Sequence, residues 1–388
     1  MNFIIEDKAD LVKKVALNIK AIEKSVITSS LSNLKLEVKD SILIITSFDG
    51  SNCVISKINI TNVTSVNKSI MIDSTYLKNI VDRLSKLNNS EIKFELLEET
   101  SELSIKSGRT KLKIKAILDT TDFNTVPKIE EFKDYNSVTF DKSELIKSVS
   151  NIVKCSKKDS TQPMLEAINI MVEEDSSDIF ALDGYRLGMN VLECSSSGTF
   201  KISVSATRLK DVLGDVALSD ADVVELKSNG KYLLIQSGEI NIFIREIDGA
   251  VAPYKRLLAK SYLYEIIVQK EEILGALNAS MMATSKDNKI VKLTINPEDS
   301  FIEFKSSGDV ITDLVNEIDM TVKLAEEDSL EIAFNAIYLV DLINSIKTKS
   351  VKMYFKDSVS PVYIENKDSE DDLDKDSYLV LPVRISRV

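Results

Sequence analysis

The stretch Ser203–Val216, SVSATRLKDVLGDV, has two counterparts in the chain: MIDSTYLKNIVDRL from Met71 to Leu84 and AFNAIYLVDLINSI from Ala333 to Ile346. Three helix openings on one plan, roughly 130 residues apart, mark the chain as a repeat. In each, a short polar residue (Asp73, Ser205, Asn335) stands where an N-cap belongs, its oxygen able to take a free N–H of the first turn. Leu77, Ile80, Val81 and Leu84 match Leu209, Val212, Leu213 and Val216, and both match Leu339, Leu342, Ile343 and Ile346, the spacing of one buried helical stripe.

A finer step of about 65 residues separates Leu11 from Leu77, Leu145 from Leu209 and Ile273 from Leu339, so each copy divides into two halves of one helix plus strands. The alternation in Leu34–Val38, Ile92–Leu96 and Ile168–Val172 predicts strands, and Lys39-Asp40-Ser41, Ser107-Gly108-Arg109 and Ser237-Gly238 predict hairpin turns. One helix and a few strands cannot close a core alone, so halves must pair. The expected fold is α+β: three repeated domains, 1–128, 129–259 and 260–388, each with two helices packed on antiparallel sheets. Pro382 in the last strand predicts a sheet edge.

The composition, 44% apolar and 28% charged over 388 residues, suits several packed cores. The N-terminus carries no signal-peptide pattern, and a cytoplasmic protein is expected. With no histidine, Ser-His, Cys-His and His-metal chemistry are excluded. Cys53, Cys155 and Cys194 lack CxxC spacing, and no phosphate-binding glycine loop or nucleophile motif is present, so neither a metal, a cofactor nor an enzymatic activity is expected. The acidic stretch 365–377 reads as a solvated loop.

A net charge of -12 argues against nucleic acid unless the signs are segregated. They are: the helices from Lys8 to Lys24 and from Lys142 to Lys158 carry many more lysines than acids, with Lys8, Lys13, Lys14, Lys20 and Lys24 placed off the stripe of the first. Such points of charge touch phosphates without reading sequence. The stretch Asp183–Leu187, DGYRL, is a turn followed by residue types common in binding hot spots.

With LDGYRL at 182–187, IDGAVAPYKRLL at 247–258 and YLVLPVRI at 378–385 in order on a triplicated chain, the sequence resembles the bacterial sliding clamps, the β subunits of DNA polymerase III. That resemblance spans all three copies. It implies a clamp that encircles duplex DNA without sequence preference as a head-to-tail homodimer ring. The ring would be lined by helices, would tether the replicative polymerase, and would be served by a clamp loader and other clamp-binding peptides. It involves no membrane. The expected alternative is a clamp-like scaffold that does not encircle DNA.

Helix arithmetic agrees with two chains: six helices about 10 Å apart leave a hole of about 10 Å, and twelve leave roughly 28 Å. Carried over from the family, the partner-peptide groove falls on Leu165, Leu182, Gly184, Tyr185, Arg186, Leu187, Arg256, Leu257, Leu379, Val380, Leu381, Pro382, Val383 and Arg384. Tyr185 stands where the family has His, and Leu182 where it has Thr. The residues expected to face DNA are Lys13, Lys20, Lys24, Lys78, Arg83, Lys147 and Lys154.

Overall fold

The computed structural model describes residues 1–20, 29–64, 67–87, 91–216, 219–259, 261–284, 289–308, 311–325, 328–366 and 376–384. Lys24, most of the acidic stretch 365–377 and the final residues 385–388 lie outside them. Seven α-helices are described: α1 (Lys8–Lys20), α2 (Ser74–Ser85), α3 (Lys142–Ile152), α4 (Ala206–Val216), the short α5 (Tyr254–Leu257), α6 (Lys270–Ala283) and α7 (Ala336–Ser345).

The three matching stretches are α2, α4 and α7, and their expected N-caps form. The Asp73 carboxylate accepts the Tyr76 N–H at 3.0 Å, the Ser205 hydroxyl the Arg208 N–H at 3.5 Å, and the Asn335 side-chain oxygen the Ile337 N–H at 3.0 Å. The stripe residues are buried in all three helices, apart from a half-buried Ile80.

The opposite helix ends are closed by a device the sequence reading missed. Lys8, at the start of α1, donates its Nζ to the Leu87 carbonyl beyond α2 at 2.8 Å. Lys142, the first residue of α3, donates to the Ser219 carbonyl beyond α4 at 2.8 Å. Lys270, the first residue of α6, donates to the Ile346 and Asn344 carbonyls at the end of α7, at 2.5 and 3.3 Å. Each ammonium sits where a helix leaves unpaired carbonyls and the negative end of its dipole.

The described chain forms two compact units: Met1–Lys142 with Asp211–Glu246, and Ser143–Lys210 with Ile247–Val388. In the first, a four-stranded antiparallel sheet runs Asn2–Ile5, Ile92–Leu97, Glu102–Ser107, Thr110–Lys115. A longer antiparallel sheet contains, in spatial order, Ser137–Asp141, Val223–Ser228, Tyr232–Ser237, Ile240–Arg245, Asn52–Asn59, Ile42–Phe48, Asn33–Lys39 and Lys68–Asp73. Leu11 and Val15 of α1 and Leu77, Val81 and Leu84 of α2 share one core with Phe3, Phe94 and Ile105 of the short sheet and Leu36, Ile45 and Ile58 of the long one.

In the second unit a nine-stranded antiparallel sheet runs Phe200–Ser205, Ala167–Val172, Ser176–Leu182, Arg186–Glu193, Ser377–Val380, Val362–Asn366, Ser350–Phe355, Tyr264–Gln269, Thr321–Leu324. Beside it stands a four-stranded sheet, Leu314–Asp319, Phe301–Ser306, Ile290–Asn296, Leu330–Asn335, against which α6 packs while also packing on α7.

The long sheets therefore continue across the repeat boundaries. Asn52–Asn59 of the first copy pairs with Ile240–Arg245 of the second, and Arg186–Glu193 of the second pairs with Ser377–Val380 of the third. This overturns the edge expected from Pro382. The last strand ends at Val380, before the proline, and is hydrogen-bonded on both sides, with Tyr378 and Val380 fully buried.

One of the off-stripe assignments also changes. Lys14 is buried, held by Asp10 at 2.8 Å and Glu239 at 2.9 Å, so it serves packing and not a free surface. Burial alone would lower its pKa, but the hydrogen bonds to those two carboxylates outweigh it and hold it above the ordinary value. Cys155 is buried beneath Gly188, where an added Cβ would meet its sulfur at 2.9 Å, and burial pushes the thiol up to about 12.

The lysine caps are separable from the surface lysines by stability. Lys142→Met is expected to lower unfolding free energy by about 1 kcal/mol in urea titrations. The exposed Lys147→Met on the same helix is expected to stay within about 0.5 kcal/mol.

Candidate peptide groove and basic helices

The groove expected from DGYRL begins with a turn whose geometry follows from three residues. Gly184 takes φ +91°, open to glycine, and Asp183 folds back over it. One Asp183 oxygen accepts the N–H groups of Tyr185 and Arg186, both at 2.9 Å, and the other accepts Arg186 Nε at 3.0 Å. The register Arg186↔Val380 and Leu187↔Leu379 then lays the third-copy strand beside the turn, and the Leu381 N–H donates to the Tyr185 carbonyl at 2.8 Å. Val383 bonds the Ala333 carbonyl at 2.7 Å, which fixes the path of Pro382 between them.

Beneath this lies an aromatic cluster of Phe180, Leu187, Tyr254, Tyr354, Tyr363 and Leu379, with Leu182 half-buried against it. Tyr254 stacks on Phe180 at 4.0 Å and donates its hydroxyl to Asp178 at 2.6 Å. The sequence reading missed these ring-bearing residues because they come from three separate strands and a short helix. The rim is apolar and open: Tyr185, Leu257 and Leu381 are exposed. So is Val359, in the loop that the Val362↔Val380 pairing sets beside Leu381. Leu165 is half-buried at the end of the 3-10 turn Pro163–Leu165. Val380 lies in the core below and Arg384 is exposed.

The two groove arginines that flank DGYRL and APYKRL differ in kind. Arg186 is committed within the protein: its Nη1 donates to Asp341 on α7 at 2.7 Å, and its guanidinium lies 4.4 Å from the centre of the Tyr338 ring. Burial would lower its pKa, but the bond to Asp341, followed by Asp183, raises it. Arg256 is exposed and has no ion-pair partner among the described residues.

The first unit contains the same turn at its own repeat boundary. Asp49 accepts the N–H groups of Ser51 and Asn52 at 2.8 and 2.6 Å and the Asn52 amide at 3.0 Å, with Gly50 at φ +96°. There the position of Tyr185 is taken by Ser51 and that of Arg186 by Asn52. Phe123 and Phe132 of the connecting segment pack with Phe48, Tyr232 and Phe243. The boundary architecture occurs twice; at the first the turn carries polar side chains, and the exposed Tyr135 lies against Phe132 of the cluster.

Of the residues expected to face DNA, Lys20 is exposed on α1, and Lys78 and Arg83 are exposed on its packing partner α2. Lys13 is half-buried and borders a cavity of about 160 Å³ together with Asp10 and Glu239. Lys147 is exposed on α3. Lys154 has left the α-helix for the 3-10 turn Val153–Cys155 and is half-buried; burial, followed by the charge of Lys154, lowers the pKa of Lys270. Among the described residues no three His, Cys, Asp or Glu side chains gather as metal ligands, and no helix is long and apolar enough to cross a membrane.

Residues 1–127 match the family model of the DNA polymerase III beta subunit N-terminal domain, and residues 255–384 match that of its C-terminal domain. The chain is 24% identical to the beta sliding clamp of Rickettsia bellii over 99% of its own length and 100% of that protein's. It is 25% identical to the beta sliding clamp of Bacillus subtilis over 81% of this chain and 80% of that one. The structure of the DNA polymerase III subunit beta from Pseudomonas aeruginosa superposes with a TM-score of 0.88 at 20% identity, covering 99% of this chain and 100% of that one. That of the Thermotoga maritima beta subunit gives 0.84 at 20% identity, with the same shares. The repeat, the sheets that run through its boundaries and both terminal domain models agree: the chain belongs to the DNA polymerase III beta subunit family.

Proposed function

We propose that this protein is a sliding clamp. Two copies close head to tail into a ring around duplex DNA and tether the replicative polymerase and other clamp-binding peptides through the groove at Tyr185, Leu257 and Leu381. It catalyses no reaction, and binds DNA by topology with weak, sequence-blind phosphate contacts. The three domains are 1–128, 129–259 and 260–388; the compact units differ from them because strand pairing runs through the boundaries. A clamp loader would open the ring.

The observation that carries the reading is a pair of open sheet edges of opposite charge. Thr110–Lys115 is the outer strand of the first short sheet and places Lys111, Lys113 and Lys115 on one face. Leu314–Asp319 is the outer strand of the last short sheet; Glu317 and Asp319 are exposed on it, and Asp313 precedes it. An unpaired strand edge invites another strand. A basic edge in the first copy and an acidic edge in the last make the contact heterologous, the kind that builds a ring when it closes. The half-buried Leu112 and Ile114 of one edge and Leu314 of the other supply apolar contact. The relatives named beta sliding clamp support this reading over a scaffold that does not encircle DNA.

Two experiments test this. Sedimentation is expected to show a species of twice the 43.3 kDa chain mass. The triple change Lys111→Glu, Lys113→Glu, Lys115→Glu is expected to give monomer, and a sedimenting dimer of that variant would refute the edge contact. After loading, the protein is expected to stay on a nicked circular plasmid and to be lost when the plasmid is cut; equal retention on both would rule out topological binding.

A further inference from the structure

We propose that Asp341, on α7, is a positioning residue of the peptide groove. It acts through Arg186 to hold the Tyr185 face, so that Arg186 arranges the groove and is not itself a ligand of the bound peptide. The inference rests on the groove reading above and adds to it which residues touch the peptide and which arrange those that do.

The argument starts from what Arg186 has already spent. Its Nε and Nη1 are bonded to Asp183 and Asp341 at 3.0 and 2.7 Å, and its side chain is only 10% exposed. A guanidinium held by two carboxylates has its charge compensated and its fork geometry used, so it is a poor ligand for a third carboxylate. The two bonds do different work. Asp183 belongs to the same turn and fixes the guanidinium locally, whereas Asp341 comes from 155 residues away and ties the turn to α7. One turn back on that helix, Tyr338 lies under the guanidinium, and its ring stacks with that of Tyr185 at 6.2 Å and 28°. Asp341, Arg186, Tyr338 and Tyr185 thus form one chain of contacts from the helix to the rim, and it ends on a ring that is 58% exposed.

Without Asp341 nothing else on α7 holds the guanidinium by a charge-assisted bond, and Tyr338 keeps only a ring contact to it. Tyr185 then loses its fixed backing, and the exposed aromatic face has to be ordered when the peptide arrives, at a cost in affinity.

The test uses the full-length chain and a fluorescein-labelled synthetic peptide carrying a Gln and a terminal Leu-Phe pair, read by anisotropy. Asp341→Ala is expected to weaken binding tenfold or more, and Asp341→Glu to recover it to within threefold. Arg186→Ala combined with Asp341→Ala is expected to be no weaker than Arg186→Ala alone, since both act through one contact. Because the chain has no tryptophan, Tyr185→Trp supplies a single reporter. Its emission without peptide is expected to move to longer wavelength when Asp341→Ala is added, a change that loss of stability alone would not produce below the melting transition. If Asp341→Ala does not fold, Asp341→Asn takes its place in each measurement.

Leu381→Asp separates the two readings. If Leu381→Asp abolishes binding while Asp341→Ala stays within twofold of the parent, the positioning role is wrong and the groove stands. If Leu381→Asp leaves binding intact, the groove itself is misplaced. Additive losses in the double variant would likewise overturn the positioning role.

Discussion

The structure depends on strand pairing through the repeat boundaries. A half-unit of one helix and a few strands exposes more apolar surface than it covers, and pairing halves within a copy buries the stripes of α1 and α2 or of α6 and α7. The strands at each boundary would still end in open edges. Asn52–Asn59 against Ile240–Arg245 and Arg186–Glu193 against Ser377–Val380 remove those edges and make long sheets from short ones. The same pairing creates a niche at each boundary, because it sets an Asp-Gly turn beside the chain leaving the next copy. Whether a niche becomes a groove is then a matter of side chains. Ser51 and Asn52 make the first turn polar, whereas Tyr185 and Leu381 make the second apolar and open.

Buried polar contacts accompany both boundaries and narrow the ways the copies can meet. In the first unit Asn18 donates to Ser56 at 2.7 Å, and the Lys14 ammonium is bonded to Glu239. In the second, Ser148 donates to Asn190 at 3.2 Å, Asn190 to the Tyr378 hydroxyl at 3.0 Å, and that hydroxyl to the Ser345 carbonyl at 3.4 Å. Polar groups at such depth are costly unless paired, so a slipped register would break Lys14–Glu239 at the first boundary and Asn190–Tyr378 at the second. Gly188 tightens the second boundary further, since it brings the strand against Cys155, Ile152 and Tyr378.

Much of this was legible from spacing alone. The caps at Asp73, Ser205 and Asn335 and the stripes behind them follow from local rules, and so do the turns at Gly108 and Gly238. What spacing could not show is which strand lies beside which. Pro382 reads as an edge marker when its strand is taken alone, yet the strand stops two residues earlier and sits mid-sheet. The basic helices were read from charge counts, and counts do not separate an ammonium in solvent, as on Lys78, from one folded back onto a carbonyl, as on Lys8. The Asp-Gly turn of the candidate groove was visible in DGYRL. Tyr338 and Asp341 were not, since their relation to Arg186 exists only after folding.

The lysines at Lys8, Lys142 and Lys270 have a mechanical consequence. Lys8 and Lys270 each fasten the first turn of one helix to the end of its packing partner, across the join where α1 and α2, or α6 and α7, would otherwise slide along their axes. Lys142 makes the corresponding bond to the chain just beyond α4. Apolar stripes resist separation well and shear poorly, because a greasy contact can be traded for an equivalent one a turn away. A directional bond at one end removes that freedom and holds the tilt of the pair. In the proposed ring, with these helices lining the hole, stiffness in that direction would matter above all, since drag from a gliding polyanion on exposed cations would act parallel to the face and not against it.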